Sequence, residues 1–276
     1  MVAVVVSFNG GESTLECIRS ISPQVNSVVV VDNGSTSESL DLLWNLHGVE
    51  ISLILLPSNL GLGTALNLGV KKAMSLGAEW ILTLDQDSIP DHNMVTKLME
   101  YAEFNLQIKS LSPNLVSFSG STAMPKIGQV KYAITSGNLV HRNVFEQAGL
   151  YNAGYFIDCI DFDFSLRIRK AGFFIHKVGA AKMIHQVGVN STLPRALKSF
   201  YTQHNPVRRY YMFRNYVLLT KSYAGFDLRF ILKLGVLYLF FLGLLVIFEK
   251  QRLVNLKYIS EGLWDGLIGN SGPYSQ

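Results

Sequence analysis

Apolar residues along this chain recur in two rhythms. Unbroken runs of β-branched and aliphatic residues, Val2–Val6, Val28–Val31, Ile51–Leu56 and Trp80–Leu84, read as strands buried on both faces. Between them the spacing turns helical. Leu15, Ile18 and Ile21 follow Ser13-Thr14-Leu15-Glu16, a capping box, and Pro23 ends that helix. Ser35 and Glu38 form a second box ahead of Leu40, Leu43 and Trp44. Leu62, Leu66, Val70 and Ala73 line a third helix, entered through the glycine-rich turn Asn59-Leu60-Gly61-Leu62-Gly63. Four strands alternating with helices predict an α/β fold, Rossmann-like in outline, with right-handed crossovers.

The second half reads differently. Asp91–Tyr101 is helical, with Met94, Leu98 and Tyr101 inward, and Leu111–Val140 is strand-like, with turns at Ser119-Gly120-Ser121 and Pro125. That shift points to antiparallel or mixed pairing. Asn143–Gln147 forms a short helix closed by Gly149. Asp161 heads another that ends at Gly172, and Phe173–Val178 is a further strand. From Leu234 to Phe248 no charge appears.

Composition narrows the class. Hydrophobic residues are 49% of 276 and charged ones 16%, which excludes a disordered chain. A net charge of +4, with no basic stripe interleaved with aromatics before the C-terminal third, argues against nucleic acid. Cys17 and Cys159 are the only cysteines, so a reducing cytoplasm is expected. Met1–Val6 lacks the basic n-region of a signal peptide and reads as the first core strand. The fingerprint G-x-G-x-x-G is absent after that strand, which disfavours a nicotinamide enzyme.

Polar groups gather at the strand ends: Asn9, Asp32, and the pair Asp85 and Asp87 in Asp85-Gln86-Asp87-Ser88, before the turn-former Pro90. In open α/β sheets ligands collect at such carboxyl ends. Two hard oxygen ligands on one face of an extended segment suit Mg²⁺ or Mn²⁺, although a solvated turn has the same sequence. Asp32 can accept from a pyrimidine N–H or a ribose hydroxyl, or simply favour a helix N-terminus. Asn59 and Gly61 can cradle a phosphate or cap the next helix. Further on, Asp158, Asp161 and Asp163 stand among aromatic residues, which is costly unless each is paired or functional. Asp163 and Arg167 are spaced to pair along a helix, leaving Asp161 and Asp158 as candidate bases. Cys159 has no histidine near it in sequence, so a thiol nucleophile is disfavoured. His176, His185 and His204 read alone as structural histidines.

Taken in order, Val6-Ser7-Phe8-Asn9, Val31-Asp32-Asn33-Gly34-Ser35, Asn59-Leu60-Gly61, Asp85-Gln86-Asp87, Gly137-Asn138, Asp161 before Leu166-Arg167, and His185-Gln186-Val187-Gly188 resemble the family 2 glycosyltransferases of GT-A fold. The likeness runs to Arg208-Arg209-Tyr210-Tyr211 and Arg214-Asn215. Phe156-Ile157-Asp158 with Asp161 looks most like the rhamnosyltransferase subgroup, which uses dTDP-L-rhamnose to build bacterial surface polysaccharides such as O antigen. Many relatives carry Glu-Asp where this chain has Ile160-Asp161.

The resemblance implies a GT-A domain with a mostly parallel central sheet, flanking helices and an added C-terminal apolar helical segment. Residues 1–110 would form the nucleotide-sugar half, 111–222 the acceptor and catalytic half, and 223–276 the membrane-associating or oligomerising helices. It implies an inverting transfer with Asp161 as base, Asp158 being the runner-up. Asp32 would hold the pyrimidine and Asp85 the ribose or the metal's water shell, with Ser7, Asn9, Asn59 and Gly61 completing the nucleotide set. Asp87 and His185, with Asp85, would hold the divalent cation. The rivals are a same-fold transferase using a UDP- or GDP-linked sugar and an inactive membrane adaptor. A sugar nucleotidyltransferase would need a basic first loop, which Ser7–Gly11 lacks.

Arg195, Lys198, Arg208, Arg209, Arg214, Lys221, Arg229 and Lys233 precede the uncharged run. Spanning a bilayer takes ~20 apolar residues, more than Leu234–Phe248 supplies alone. A helix lying in the interface and one buried in a homodimer fit equally well. Basic residues beside it favour the anionic cytoplasmic leaflet of the inner membrane, where lipid-linked glycan acceptors reside, with peripheral or weak anchoring.

Overall fold

The computed structural model describes residues 1–44, 50–116, 127–185 and 204–275, the side chains of Trp44 and His185 excepted. The turns expected at Ser119–Ser121 and Pro125 lie outside them. The chain divides into two units, Met1–Ala153 with Ile160–Gln186, and Gly154–Cys159 with Val187–Gln276.

The first unit opens as β1 (Val2–Ser7), α1 (Glu12–Ile21), β2 (Ser27–Asp32), α2 (Ser37–Trp44), β3 (Ile51–Leu55), α3 (Leu62–Ser75) and β4 (Trp80–Asp85). It continues as β5 (Ser88–Pro90), α4 (Met94–Phe104), β6 (Ser110–Val116), β7 (Gly128–Val130), β8 (Asn138–His141) and α5 (Arg142–Ala148), and ends with α6 (Ile160–Lys170) and β9 (Ile175–His185). The sheet order is β3-β2-β1-β4-β8-β6-β9-β5, with β7 also on β9. As the apolar runs predict, β1 to β4 form a parallel block, and β8 joins β4 antiparallel, making the whole sheet mixed. One face buries Ala3, Val5, Val28, Val30, Leu82 and Leu84 under α1, α2 and α4. Against the other face lies α3, so close that a Cβ on Gly69 would collide with a Val4 methyl.

Several local expectations are corrected. Neither capping box forms: α1 is preceded by Gly11 without a side-chain cap, and the Ser13 hydroxyl donates to the Gly10 carbonyl at 2.7 Å. Ser35 spends its hydroxyl on Asp32. Helix α4 begins at Met94, because Asp91 and His92 lie in the turn before it and the Asp91 carbonyl accepts from Met94 N. Ser88–Pro90, expected as a turn, is strand β5, paired with Met183–His185 at the far end of β9, which is longer than the apolar run suggests. Pro90 stands at the strand's last position.

The second unit is a helical assembly. Helix α7 (Pro206–Phe248) breaks at Asp227, whose backbone leaves helical geometry (φ −141°, ψ 71°) while its carboxylate accepts from Phe230 N at 3.0 Å. The two halves fold back on each other. Tyr216 of the first half stacks on Tyr238 of the second, at 5.1 Å between ring centroids. A Cβ on Gly235 would collide with the Tyr216 hydroxyl. Near the open end of this hairpin Arg209 donates to buried Glu249 at 2.8 Å. Helix α8 (Arg252–Ile268) packs on the first half through two glycines: a Cβ on Gly262 would run into the Tyr210 carbonyl, and one on Gly266 would meet the Arg214 carbonyl at 2.8 Å. Among the described residues α7 is the one helix long and apolar enough to cross a membrane, but its fold-back divides that length.

Candidate active site

Strand register brings the expected acids to one edge. Ser7 pairs with Asp32 and Val6 with Asp85, so both carboxylates stand at the C-terminal ends of strands flanking β1. Asp32 is buried and organises its own loop. One oxygen accepts from Gly34 N and Ser35 N, at 3.2 and 2.8 Å, and the other from the Ser35 hydroxyl. The left-handed turn at Gly34 (φ 83°) brings it against the Ser58 backbone, where any side chain would collide and only glycine fits.

The neighbouring loops are tied together by side chains. Asn9, at φ 51°, accepts from Thr36 N at 2.9 Å, and its own N–H donates to the Ser35 hydroxyl. Asn33 donates to the Asn59 carbonyl oxygen at 3.1 Å and accepts from Leu60 N, while Asn59 accepts from Gly61 N at 3.0 Å. Asn59 and Gly61 thus brace the start of α3. The Ser7 hydroxyl is buried and shared with Thr14 at 3.2 Å. Gln86, to which sequence reasoning gives no role, accepts from Phe8 N at 2.7 Å and fixes the exit of β1 beside the acid pair.

Asp85 and Asp87 are half-buried at the end of β4. The Cys17 thiol donates to the Asp85 carbonyl at 3.5 Å. Burial first, then the charges of Asp85 and Asp87, push that thiol far up, so Cys17 stays neutral. The β5–β9 pairing sets the His185 backbone opposite Ser88, next in sequence to Asp87. Its imidazole lies outside the described side chains. Among the described residues no three His, Cys, Asp or Glu side chains converge as a metal group. Two hard carboxylates one residue apart, with a histidine strand-paired beside them, nevertheless fit the donor set of Mg²⁺ or Mn²⁺.

The three downstream acids separate. Asp161 is the second residue of α6 and accepts from Phe162 N at 2.9 Å. Asp163 is buried and pairs with Arg167 at 2.8 Å, as its spacing predicts. Asp158 belongs to the second unit, where Arg208 grips both its oxygens, at 3.0 Å through Nη2 and 3.1 Å through Nε. Such a two-pronged ion pair fixes the orientation of the Asp158 side chain. His176 accepts from or donates to the Tyr101 hydroxyl at 3.0 Å, as befits a structural histidine. His204 is pushed down to about 3 by burial and then by Arg208 and Arg209, which leaves it neutral. Both cysteines are buried and neither is in a disulfide.

Known proteins resemble this chain in sequence and in fold. Residues 2–145 match the family model described as glycosyl transferase family 2. Over 291 aligned residues the chain is 30% identical to dTDP-rhamnosyl transferase RfbF of Shigella flexneri, covering 98% of this chain and 96% of that protein. GalNAc-T7, solved with UDP, GalNAc and Mn²⁺, superposes with a TM-score of 0.62 at 15% identity, over 80% of this chain and 47% of that one. TarS 1–349 of S. aureus, solved with UDP-GlcNAc, gives a TM-score of 0.58 at 12% identity, over 97% of this chain and 72% of that one. These structural likenesses concern the GT-A-like fold. The match across half the chain and the full-length relative establish that this protein is a glycosyltransferase and belongs to glycosyl transferase family 2.

Proposed function

We propose that the chain is an inverting rhamnosyltransferase that moves L-rhamnose from dTDP-L-rhamnose to a lipid-linked bacterial surface polysaccharide. The observation that carries this reading is 30% identity to a dTDP-rhamnosyl transferase over 98% of the chain. Asp32 accepts from the pyrimidine ring and Asp85 from the ribose, with Ser7, Asn9, Asn59 and Gly61 shaping the nucleotide site. Asp161 takes the proton from the acceptor hydroxyl as its oxygen attacks the anomeric carbon opposite the diphosphate. The bond to the diphosphate breaks, and dTDP departs. Asp85, Asp87 and His185 are the residues to hold Mg²⁺ or Mn²⁺, which when bound offsets charge on the leaving diphosphate.

Calorimetry tests the donor and the cation together. Full-length protein with Mn²⁺ is expected to bind dTDP-rhamnose more tightly than UDP-GlcNAc or GDP-mannose. EDTA is expected to weaken that binding about tenfold, and Asp87→Ala to reproduce the loss at saturating metal. Preference for another nucleotide sugar would overturn the donor assignment, and unchanged affinity in EDTA the metal.

The second unit supports peripheral attachment to the cytoplasmic face of the membrane. In the second half of α7, Ile231, Leu234, Tyr238 and Leu245 are buried, while Val236 and Leu239 are each 67% exposed and Ile247 68%. Trp264 is exposed as well, and Arg229, Lys233, Lys250 and Arg252 flank the apolar run in sequence. One apolar face used internally and the other facing outward suits a helix lying in the interface better than one crossing it. Val236→Asp with Leu239→Asp, both exposed and so tolerable to the fold, is expected to abolish sedimentation with phosphatidylglycerol vesicles. Undiminished sedimentation would refute the lipid role, and conversion of a wild-type dimer to a monomer would make this face a dimer interface.

A further inference from the structure

The antiparallel ladder between β4 and β8 ends at the pair Thr83 and Asn138. Continued by two residues, it would set Asp85 opposite Ser136. The backbone prevents this, because Gly137 takes φ 81° and its N–H turns onto the Thr83 carbonyl at 2.7 Å. A side chain at position 137 would fall 2.7 Å from the Pro113 ring, so the turn is reserved for glycine. The Ser136 hydroxyl then does what a strand carbonyl would do and accepts from Asp85 N at 3.0 Å. The same oxygen bonds the Ser88 hydroxyl at 2.6 Å, and both serines are 0% exposed. A serine hydroxyl has one proton and two lone pairs, enough for both partners. The flanking Thr135 is anchored as well, its carbonyl accepting from the Thr83 hydroxyl at 2.5 Å.

One buried oxygen therefore holds both ends of the Asp85–Ser88 turn. Between those ends the chain presents Asp85 and Asp87, and on the opposite side Ser88 pairs with His185. We infer that Ser136 is a positioning residue, fixing the spacing of the two carboxylates and thereby the cation-dependent part of nucleotide-sugar affinity. The inference rests on the donor and cation reading above. Ser136 touches neither sugar nor diphosphate in this scheme. It acts because carboxylates that must share one cation lose affinity when their backbone can drift.

The test is donor binding by calorimetry in Mn²⁺ and in EDTA, with thermal unfolding as a check on folding. Ser136→Ala is expected to weaken dTDP-rhamnose binding about tenfold in Mn²⁺ while matching wild type in EDTA. Ser136→Cys, nearly the same shape but a weak acceptor, is expected to behave like Ala. Ser88→Ala, which removes only one end of the clamp, is expected to give a smaller loss of the same kind and serves if the Ser136 variants unfold. No loss in Mn²⁺, or an equal loss in both conditions, would overturn the inference. A wild-type protein that prefers UDP-GlcNAc would instead defeat the donor assignment, and the same comparison run with that sugar would still decide Ser136.

Discussion

Asp161→Asn is expected to lower glycosyl transfer by roughly 10²–10⁴-fold, the usual worth of a positioned general base. Donor affinity is expected to stay within a few-fold, because in the proposed mechanism Asp161 serves the acceptor hydroxyl. Asparagine keeps the shape and still accepts from Phe162 N, so the variant tests proton acceptance alone. The position suits an ionised carboxylate, since the first turn of α6 has orphan N–H groups and the positive end of the helix dipole. The two neighbouring acids serve as controls with different signatures. Asp163→Asn removes the charge facing Arg167 in a buried pair, and is expected to cost about 3 kcal/mol of stability, read by urea denaturation. Asp158→Asn loosens the two-pronged contact with Arg208 and is expected to leave more turnover than Asp161→Asn. If Asp161→Asn turns over normally and folded Asp158→Asn does not, the base is Asp158.

The parallel half of the fold is legible because strands buried on both faces must be apolar throughout, as Val2–Val6 and Val28–Val31 are. Its acids are legible for the converse reason: Asp32 and Asp85 end such runs where a core has no use for charge. Caps mislead where one hydroxyl has two suitors, and Ser35 bonds Asp32 in preference to the helix. Strand β5 escapes notice because three residues ending in proline carry no period. The break in α7 carries no proline and only Gly225 two residues ahead, and there the Asp227 carboxylate caps Phe230. Ser136 is invisible for another reason. Its partners Asp85 and Ser88 lie 51 and 48 residues away, a distance only the folded sheet closes. Arg214-Asn215 stands in the sequence as the far limit of a resemblance, without a role.

Folding supplies that role. Phe156, Asp158 and Cys159 take φ values of 63°, 62° and 60°, left-handed conformations that cost non-glycine residues about 1–3 kcal/mol each. Asn215 holds this stretch by donating to the carbonyls of Tyr155, Ile157 and Asp158, at 2.9, 2.6 and 3.0 Å. Arg214 donates to Gly154 and Tyr155 and, at 2.6 Å, to the Gly272 carbonyl near the C-terminus, and its own Nε rests on the Asn215 side chain. Phe156 adds a stacked contact with Tyr211, at 4.9 Å and 10°. Both Arg214 and Asn215 are fully buried, so water cannot replace their bonds cheaply. Asn215→Ala is therefore expected to destabilise the protein by about 3 kcal/mol, from the Ile157 and Asp158 carbonyls losing this donor beside a backbone under strain. Asn215→Asp sharpens the test, since it fills the same space but carries no N–H to give. It is expected to be at least as damaging as alanine, because its charge would also face carbonyl oxygens. Urea denaturation reads both variants. A change under about 0.5 kcal/mol in either would mean that the left-handed stretch holds itself, and that Asn215 merely packs beside it.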